Sequence, residues 1–473
     1  MAGSGVEVKG PAEAPSSYEL VLRGGRVMDP ETGLDAVRDV GISGGVIRNV
    51  APGPLEGKRV LDVQGLVVAP GFIDLHAHGQ DAENYALRAA DGVTSALELE
   101  VGTGDVDAFY RERAGKTLIN YGASVGHIPV RMAVMGDAPA FLPAADSQTA
   151  TKLASAADLV AIRDGIRRGL QAGALAVGLG IQYTPAATRW EILEVFREAA
   201  QAGASVHVHM RYNGMQEPES STNALEEVLS AAQLTGAPLH VVHLHSTSLA
   251  FTERHLQMLG EAKAHGLDVT TECYPYTAGM TDIASGVFND GWQKSLGIDY
   301  GDLLWAATGE RLTAETFASY RKQGGFVAVF SIPEPAVRAA LTHPLSMVAS
   351  DAIMKNGKGH PRSAGTYGEL LGHYVREAKL LPLMASLRKI TLMPARRLER
   401  VASLFKRKGR VQTGADADLT IFDPQHVAAR ATWNEPTLPT AGISYVLVAG
   451  VPVLENGKLQ ASLTPGQGLR ASK

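Results

Sequence analysis

Gly71-Phe72-Ile73-Asp74-Leu75-His76-Ala77-His78 is an apolar run that ends in two histidines at i and i+2. A strand points such residues to the same face, so both imidazoles can be aimed at one point. The arrangement recurs in Glu98-Leu99-Glu100, His207-Val208-His209 and His243-Leu244-His245. Six histidines and two glutamates converging on one place suit a metal centre and are hard to explain as core packing.

The segments around these doublets alternate. Apolar strands are expected at 71–76, 93–100, 122–127, 174–180, 204–209, 238–243, 267–272 and 346–350, with amphipathic helices between them, among them 149–172, 189–202 and 222–235. Alternating strand and helix implies parallel strands joined by right-handed crossovers. Eight of them imply a closed (β/α)8 TIM-like barrel spanning 69–401, with its active site at the C-terminal strand ends. The polar doublets sit at those ends.

Outside the barrel the grammar changes. From 18 to 68, and again from 402 to 470, short apolar runs alternate with Gly-rich turns, as in Leu20-Val21-Leu22 and Tyr445-Val446-Leu447-Val448. The two chain ends are expected to build one small β-sandwich. Residues 1–17 are rich in Gly, Ala, Pro and Ser and read as a disordered tail. Segment 280–345 is longer than an ordinary barrel connection and is expected to be an insertion at the pocket mouth.

Composition narrows the function classes. The 473 residues carry a formal net charge of -5, which gives no support for nucleic-acid binding. No apolar stretch is long enough for a bilayer, so no membrane partner is expected. The single cysteine, Cys273, forbids an intramolecular disulfide. This fits a cytoplasmic protein, and equally an exported one whose signal has been removed. The expected partner is a small-molecule substrate, with a homo-oligomer possible.

Each doublet divides into roles. His76 and His78 are expected to bind metal together. His209 and His243 each add one ligand from strands five and six. His207, one step deeper, is expected to support the ligands from behind, and His245 to form pocket wall. Two buried carboxylates on one strand are costly unless paired or metal-bound. Glu100 is therefore read as a ligand and Glu98 as a partner for a basic or histidine side chain. Asp351, after the last strand, is read as both ligand and catalytic base. Metal lowers the pKa of water to roughly 7, and Asp351 would carry the proton to the leaving group.

These residues resemble the amidohydrolase superfamily, and within it the N-acyl-D-amino-acid deacylase (D-aminoacylase) group. The opening Ala69-Pro70-Gly71 to His78 is superfamily-wide. More specific are Gly178-Leu179-Gly180-Ile181-Gln182-Tyr183-Thr184-Pro185, His209-Met210-Arg211, Tyr274-Pro275-Tyr276, His360-Pro361-Arg362 and Met393-Pro394-Ala395-Arg396-Arg397. The resemblance implies a zinc enzyme that cleaves a linear amide by metal-hydroxide attack, deacylating an N-acyl (D-)amino acid or a similar N-acylated amine. It also puts His76, His78, His209, His243 and Asp351 on metal and catalytic positions. Tyr183, Arg211, Arg189, Tyr274 and Lys355 are candidate substrate contacts. The alternatives are a hydantoinase-like cyclic-amide or dipeptide hydrolase, and a non-catalytic barrel scaffold.

Two departures stand out. The family places a cysteine ligand in an Asn-Cys-Gly motif after strand two, where this chain has Glu98-Leu99-Glu100-Val101-Gly102. A carboxylate can bridge two ions, so Glu100 favours two zincs over one. The family also places a lysine for the substrate carboxylate where His245 stands, an imidazole only partly charged at neutral pH.

Overall fold

The computed structural model describes residues 17–471. The tail expected over 1–17 therefore lies, apart from Ser17, outside the described residues.

Eight parallel strands follow one another around a barrel: β1 (Phe72–Asp74), β2 (Val93–Thr103), β3 (Asn120–Gly126), β4 (Ala176–Gly180), β5 (Ser205–His209), β6 (Leu239–Val241), β7 (Val269–Cys273) and β8 (Ser346–Val348). Each pairs with its sequence neighbour, for example His207 with Gly178 on one side and His240 on the other. The seam between β8 and β1 closes differently. The Asp351 N–H donates to the His76 carbonyl at 2.8 Å. The Ser350 N–H and hydroxyl donate to Asp74 at 3.0 and 2.5 Å. Arg88, on helix Ala82–Ala90, ties the carbonyls of His78, Gly79 and Ala352 together across the same seam.

Packing explains the floor. Ile73, Leu97, Leu175, Met347, Leu398 and Phe405 form one buried cluster, each worth about 1.5–3 kcal/mol of burial. Leu469 joins it because the C-terminal segment runs back beneath β3, where the Leu469 N–H bonds the Tyr121 carbonyl at 2.7 Å.

Both chain ends contribute to a second, mainly antiparallel sheet of nine strands with its own core, including Leu22, Ile42, Val63, Leu419 and Leu447. Eight of its strands follow one hydrogen-bonded path, and the ninth, Gly57–Asp62, branches off by pairing with Tyr18–Asp29. The segment 414–417 connects its far edge back by bonds from Gly414 to Ile47 and from Ala417 to Gly45.

Some boundaries differ from the sequence reading. The helix expected at 149–172 is two, Gln148–Thr151 and Ala156–Gln171. Ser155 and Asp158 form a reciprocal capping box that starts the second afresh. Strand 122–127 stops at Gly126, and His127 opens a helix. Within 280–345, three antiparallel strands (Gly279–Asp282, Leu303–Trp305 and Phe326–Val329) form a separate small sheet. Helix Glu334–Thr342 then leads into β8 as an ordinary crossover. None of the described helices is long and apolar enough to cross a membrane.

Candidate active site

Glu100 organises the site. Its Oε2 lies 3.0 Å from His76 Nε2 and 3.2 Å from His78 Nε2. Its Oε1 lies 2.8 Å from His209 Nδ1 and 3.6 Å from His243 Nε2. One carboxylate thus faces a histidine pair on each side. Asp351 Oδ1 joins the first pair, 3.3 Å from His76 and 3.4 Å from His78.

Local backbone puts Glu100 there. The pairing of β2 with β3 slips after Glu98, and the displaced segment leans over its neighbours. A Cβ on Gly126 would meet the Val101 carbonyl at 1.9 Å, and one on Gly178 would meet the Glu100 carbonyl at 2.2 Å. Only glycine admits so close a backbone. His243 and Asp351, at φ 30° and 49°, both sit in the left-handed region. That costs about 1–3 kcal/mol each and is typical of residues held for function.

Each imidazole has a partner on its far side. His76 Nδ1 meets Glu272 Oε1 at 2.5 Å, and His78 Nδ1 meets Glu98 Oε2 at 2.7 Å. His209 Nε2 meets Gln182 at 2.7 Å, and His243 Nδ1 meets the Ser246 hydroxyl at 3.1 Å. Such partners fix ring orientation and raise ligand basicity. Glu98 therefore stands behind His78. His207 does not back a ligand directly: its ring packs on His240 at 4.6 Å and its Nε2 meets Ser205 at 3.2 Å. Glu272, which links His240 to His76, takes that position and was missed. Its signal was a lone acid in the Val269–Cys273 strand.

The donor set fits divalent metal. In a zinc tetrahedron with bonds of about 2.0–2.1 Å, ligand atoms stand about 3.3–3.4 Å apart. The first group (His76, His78, Glu100, Asp351) is close to that spacing, and Glu100, His209 and His243 form a second cluster. Four carboxylates, Glu98, Glu100, Glu272 and Asp351, are buried around the histidines, and one guanidinium, Arg362, pairs with Asp351. Burial opposes protonation of His76, but Asp351, Glu272 and Glu100 outweigh it and push its pKa up to about 10. The site draws in positive charge, and cations supply it.

The cleft above these residues spans about 740 Å³, part of it open to solvent. Tyr183 and Tyr274 line it, and so does Arg362. Arg362 is 1% exposed, packs 4.4 Å from the Tyr274 ring and bonds Asp351 Oδ2 at 3.0 Å. Its Nε and Nη1 have no protein acceptor. Sequence reading quoted it in a motif without giving it a role.

Four residues expected at the cleft fall elsewhere. Arg211 spends its donors on Glu227, at 2.8 and 2.7 Å, and on the carbonyls of Pro185 and Ala187. Arg189 is 63% exposed beside the same glutamate. Lys355 is exposed on a hairpin whose turn carries Asn356-Gly357, and does not line the cleft. His245 is fully buried behind Tyr274, ring to ring at 4.4 Å, with both nitrogens unpartnered. The strand ends at Val241 and a helix begins at Leu244, so i and i+2 no longer share a face. Burial lowers the pKa of His245 to about 3, leaving it neutral.

The sequence profile of the amidohydrolase family matches residues 67–453. The chain belongs to the amidohydrolase family. It is a hydrolase of carbon–nitrogen bonds other than peptide bonds, which sets the scaffold alternative aside. N-acyl-D-glutamate deacylase from Alcaligenes xylosoxydans xylosoxydans is 31% identical over 96% of both chains. D-aminoacylase from the same organism is 30% identical over 92% of this chain and 94% of that one. Among solved structures, N-acyl-D-glutamate deacylase from Bordetella bronchiseptica, complexed with zinc and a phosphonate inhibitor mimicking the tetrahedral intermediate, matches with a TM-score of 0.83. That match has 26% identity and covers 96% of this chain and 100% of that one. This amidohydrolase thus shares its fold with an enzyme that holds zinc, and its own His, Glu and Asp cluster suits the same ion.

Proposed function

We propose that this amidohydrolase is a zinc-dependent deacylase that hydrolyses the amide of an N-acyl amino acid, with D-configured compounds as first candidates. The observation that carries the reading is Glu100, whose two oxygens face separate histidine pairs beside Asp351. The names of the relatives support the substrate class.

In this reading His76, His78, Glu100 and Asp351 would hold one zinc, and Glu100, His209 and His243 would hold a second. Zinc there would supply Lewis acidity at the carbonyl and lower the pKa of water to about 7. The protein's own groups do the rest. Burial works against ionisation of Asp351, but the Arg362 guanidinium and the His76 imidazole hold its pKa below the ordinary carboxylate range. Asp351 is therefore charged at neutral pH. It takes a proton from the attacking water as the oxygen–carbon bond forms. It then gives that proton to the amide nitrogen as the carbon–nitrogen bond breaks, leaving a carboxylic acid and an amine. Arg362 offers Nε and Nη1 to the substrate carboxylate. Burial pushes the Tyr274 phenol up to about 12, so it stays protonated and can donate a hydrogen bond in the cleft.

The test is a hydrolysis screen over N-acetyl-D- and N-acetyl-L-amino acids with zinc-loaded enzyme, alongside metal analysis of the enzyme and of Glu100→Ala. Turnover with two zincs per chain, and loss of metal and activity in Glu100→Ala, is expected. Hydantoin turnover with no N-acyl amino acid hydrolysed would overturn the substrate class. Full metal and activity in Glu100→Ala would remove Glu100 from the site.

A further inference from the structure

The cleft has two unlike walls. On one side stand the histidines, Glu100, Asp351, Arg362 and the two tyrosines. The other is mainly apolar: Phe141 and Leu142 come from the segment after helix His127–Met135, and Met280, Leu296, Phe326 and Val329 from the insertion and its small sheet, with Thr281 and Ser331 as its polar members. The apolar wall begins at the metal site itself. The Phe141 ring meets the His78 ring at 5.0 Å and continues to Phe326 at 6.3 Å.

Charge is distributed as unevenly. Among the described residues lining the cleft, Arg362 is the one lysine or arginine, and it is already paired with Asp351. Of the cations outside that lining, Lys294 is exposed to solvent in the adjoining space, and two arginines are engaged by other groups. Arg211 is clasped by Glu227, and the Arg311 guanidinium lies 3.8 Å over the Phe330 ring. The site can match one substrate carboxylate. A second would be buried without a partner, among side chains that gain by meeting hydrocarbon.

We infer that this enzyme is specific for N-acyl amino acids with uncharged, apolar side chains and rejects those with acidic side chains. The inference rests on the deacylase reading and goes beyond it. It also runs against the similarity to N-acyl-D-glutamate deacylase, at 31% identity, because the cleft has no cation to meet a side-chain carboxylate. The small sheet of the insertion, through Met280 and Phe326, is the specificity-determining element.

The experiment measures kcat/KM of the zinc-loaded enzyme for N-acetyl-leucine, N-acetyl-methionine, N-acetyl-glutamate and N-acetyl-aspartate, each enantiomer separately. The apolar compounds should exceed the acidic ones by at least about a hundredfold, the scale of leaving a buried charge unpaired. Met280→Arg, at a partly exposed position on that wall, should raise the glutamate-to-leucine ratio at least about tenfold. Its thermal midpoint checks folding, and the comparison on the unaltered enzyme stands without it. Glutamate hydrolysed as well as leucine overturns the inference while leaving the deacylase reading intact. Turnover of none of the four overturns both.

Discussion

Glu272 Oε1 lies 2.5 Å from Nδ1 of His76, and its other oxygen lies 3.0 Å from Nε2 of His240. This buried acid fixes the ring whose Nε2 faces Glu100, though it touches no candidate metal position itself. Removing such a partner typically weakens metal binding about 10- to 100-fold. Glu272→Gln should do so in a chelator competition for zinc, with an unchanged circular dichroism spectrum. Unaltered affinity would show that His76 needs no such support.

Gly178 makes room for the slipped segment of β2. Gly178→Ala should cost about 1–3 kcal/mol, the usual range for overpacking, because the new Cβ would meet the Glu100 carbonyl at 2.2 Å. It should also lower the zinc content, since Glu100 must move. Gly260→Ala is the control: it lies on helix Thr252–Ala264 with nothing within 4 Å of its would-be Cβ. It should stabilise by about 0.5–1 kcal/mol. Urea unfolding and metal analysis of both variants check this pair.

Arg362 joins Asp351 to the cleft. Arg362→Lys keeps a charge but loses the planar fork and the packing on Tyr274. It should lower kcat/KM for N-acyl amino acids by about 10²-fold or more. Much of the loss should appear in KM, as for a group that binds the substrate carboxylate. Steady-state kinetics that leave KM unchanged would assign Arg362 to Asp351 alone.

Glu31 clasps Arg410 at 2.7 and 2.8 Å and also meets Arg396 and Gln412. The Arg410 hydrogen bonds, opposed by burial and helped by Gln412, lower its pKa to about 2 from 4.5. A carboxylate depressed in the folded state gives stability that is complete above about pH 4.5 and is lost as pH falls toward about 2. The clasp is 27% exposed on the glutamate side, so solvent screening limits it to about 1 kcal/mol. Unfolding of the protein and of Glu31→Gln, both treated with EDTA, should differ at pH 6, and the gap should narrow below about pH 4.5 and close near about pH 2. A constant gap would refute the clasp.

Much of the candidate site was legible because the proposed metal donors lie on or just past strands, where period-two spacing survives folding. His76, His78, Glu100, His209 and Asp351 all come together as their positions at strand ends imply. Legibility failed where that geometry lapsed. His245 follows the end of β6 and turns away with its helix. Arg211 and Lys355 were chosen for their charge, and charge does not reveal that Glu227 takes one and solvent the other. Glu272 and Arg362 were passed over because a lone acid or base in sequence gives no sign of what it will face.

By itself the sequence determined the eightfold alternation, the joining of both chain ends in one β domain and the paired polar side chains at the strand ends. These follow from local periodicity and residue chemistry. Only the tertiary structure decided that the two oxygens of Glu100 face different histidine pairs, that Arg362 reaches Asp351, and that the far wall of the cleft is mainly apolar. Those relations join residues tens to hundreds of positions apart, and they exist only once the barrel has closed and packing has fixed each side chain.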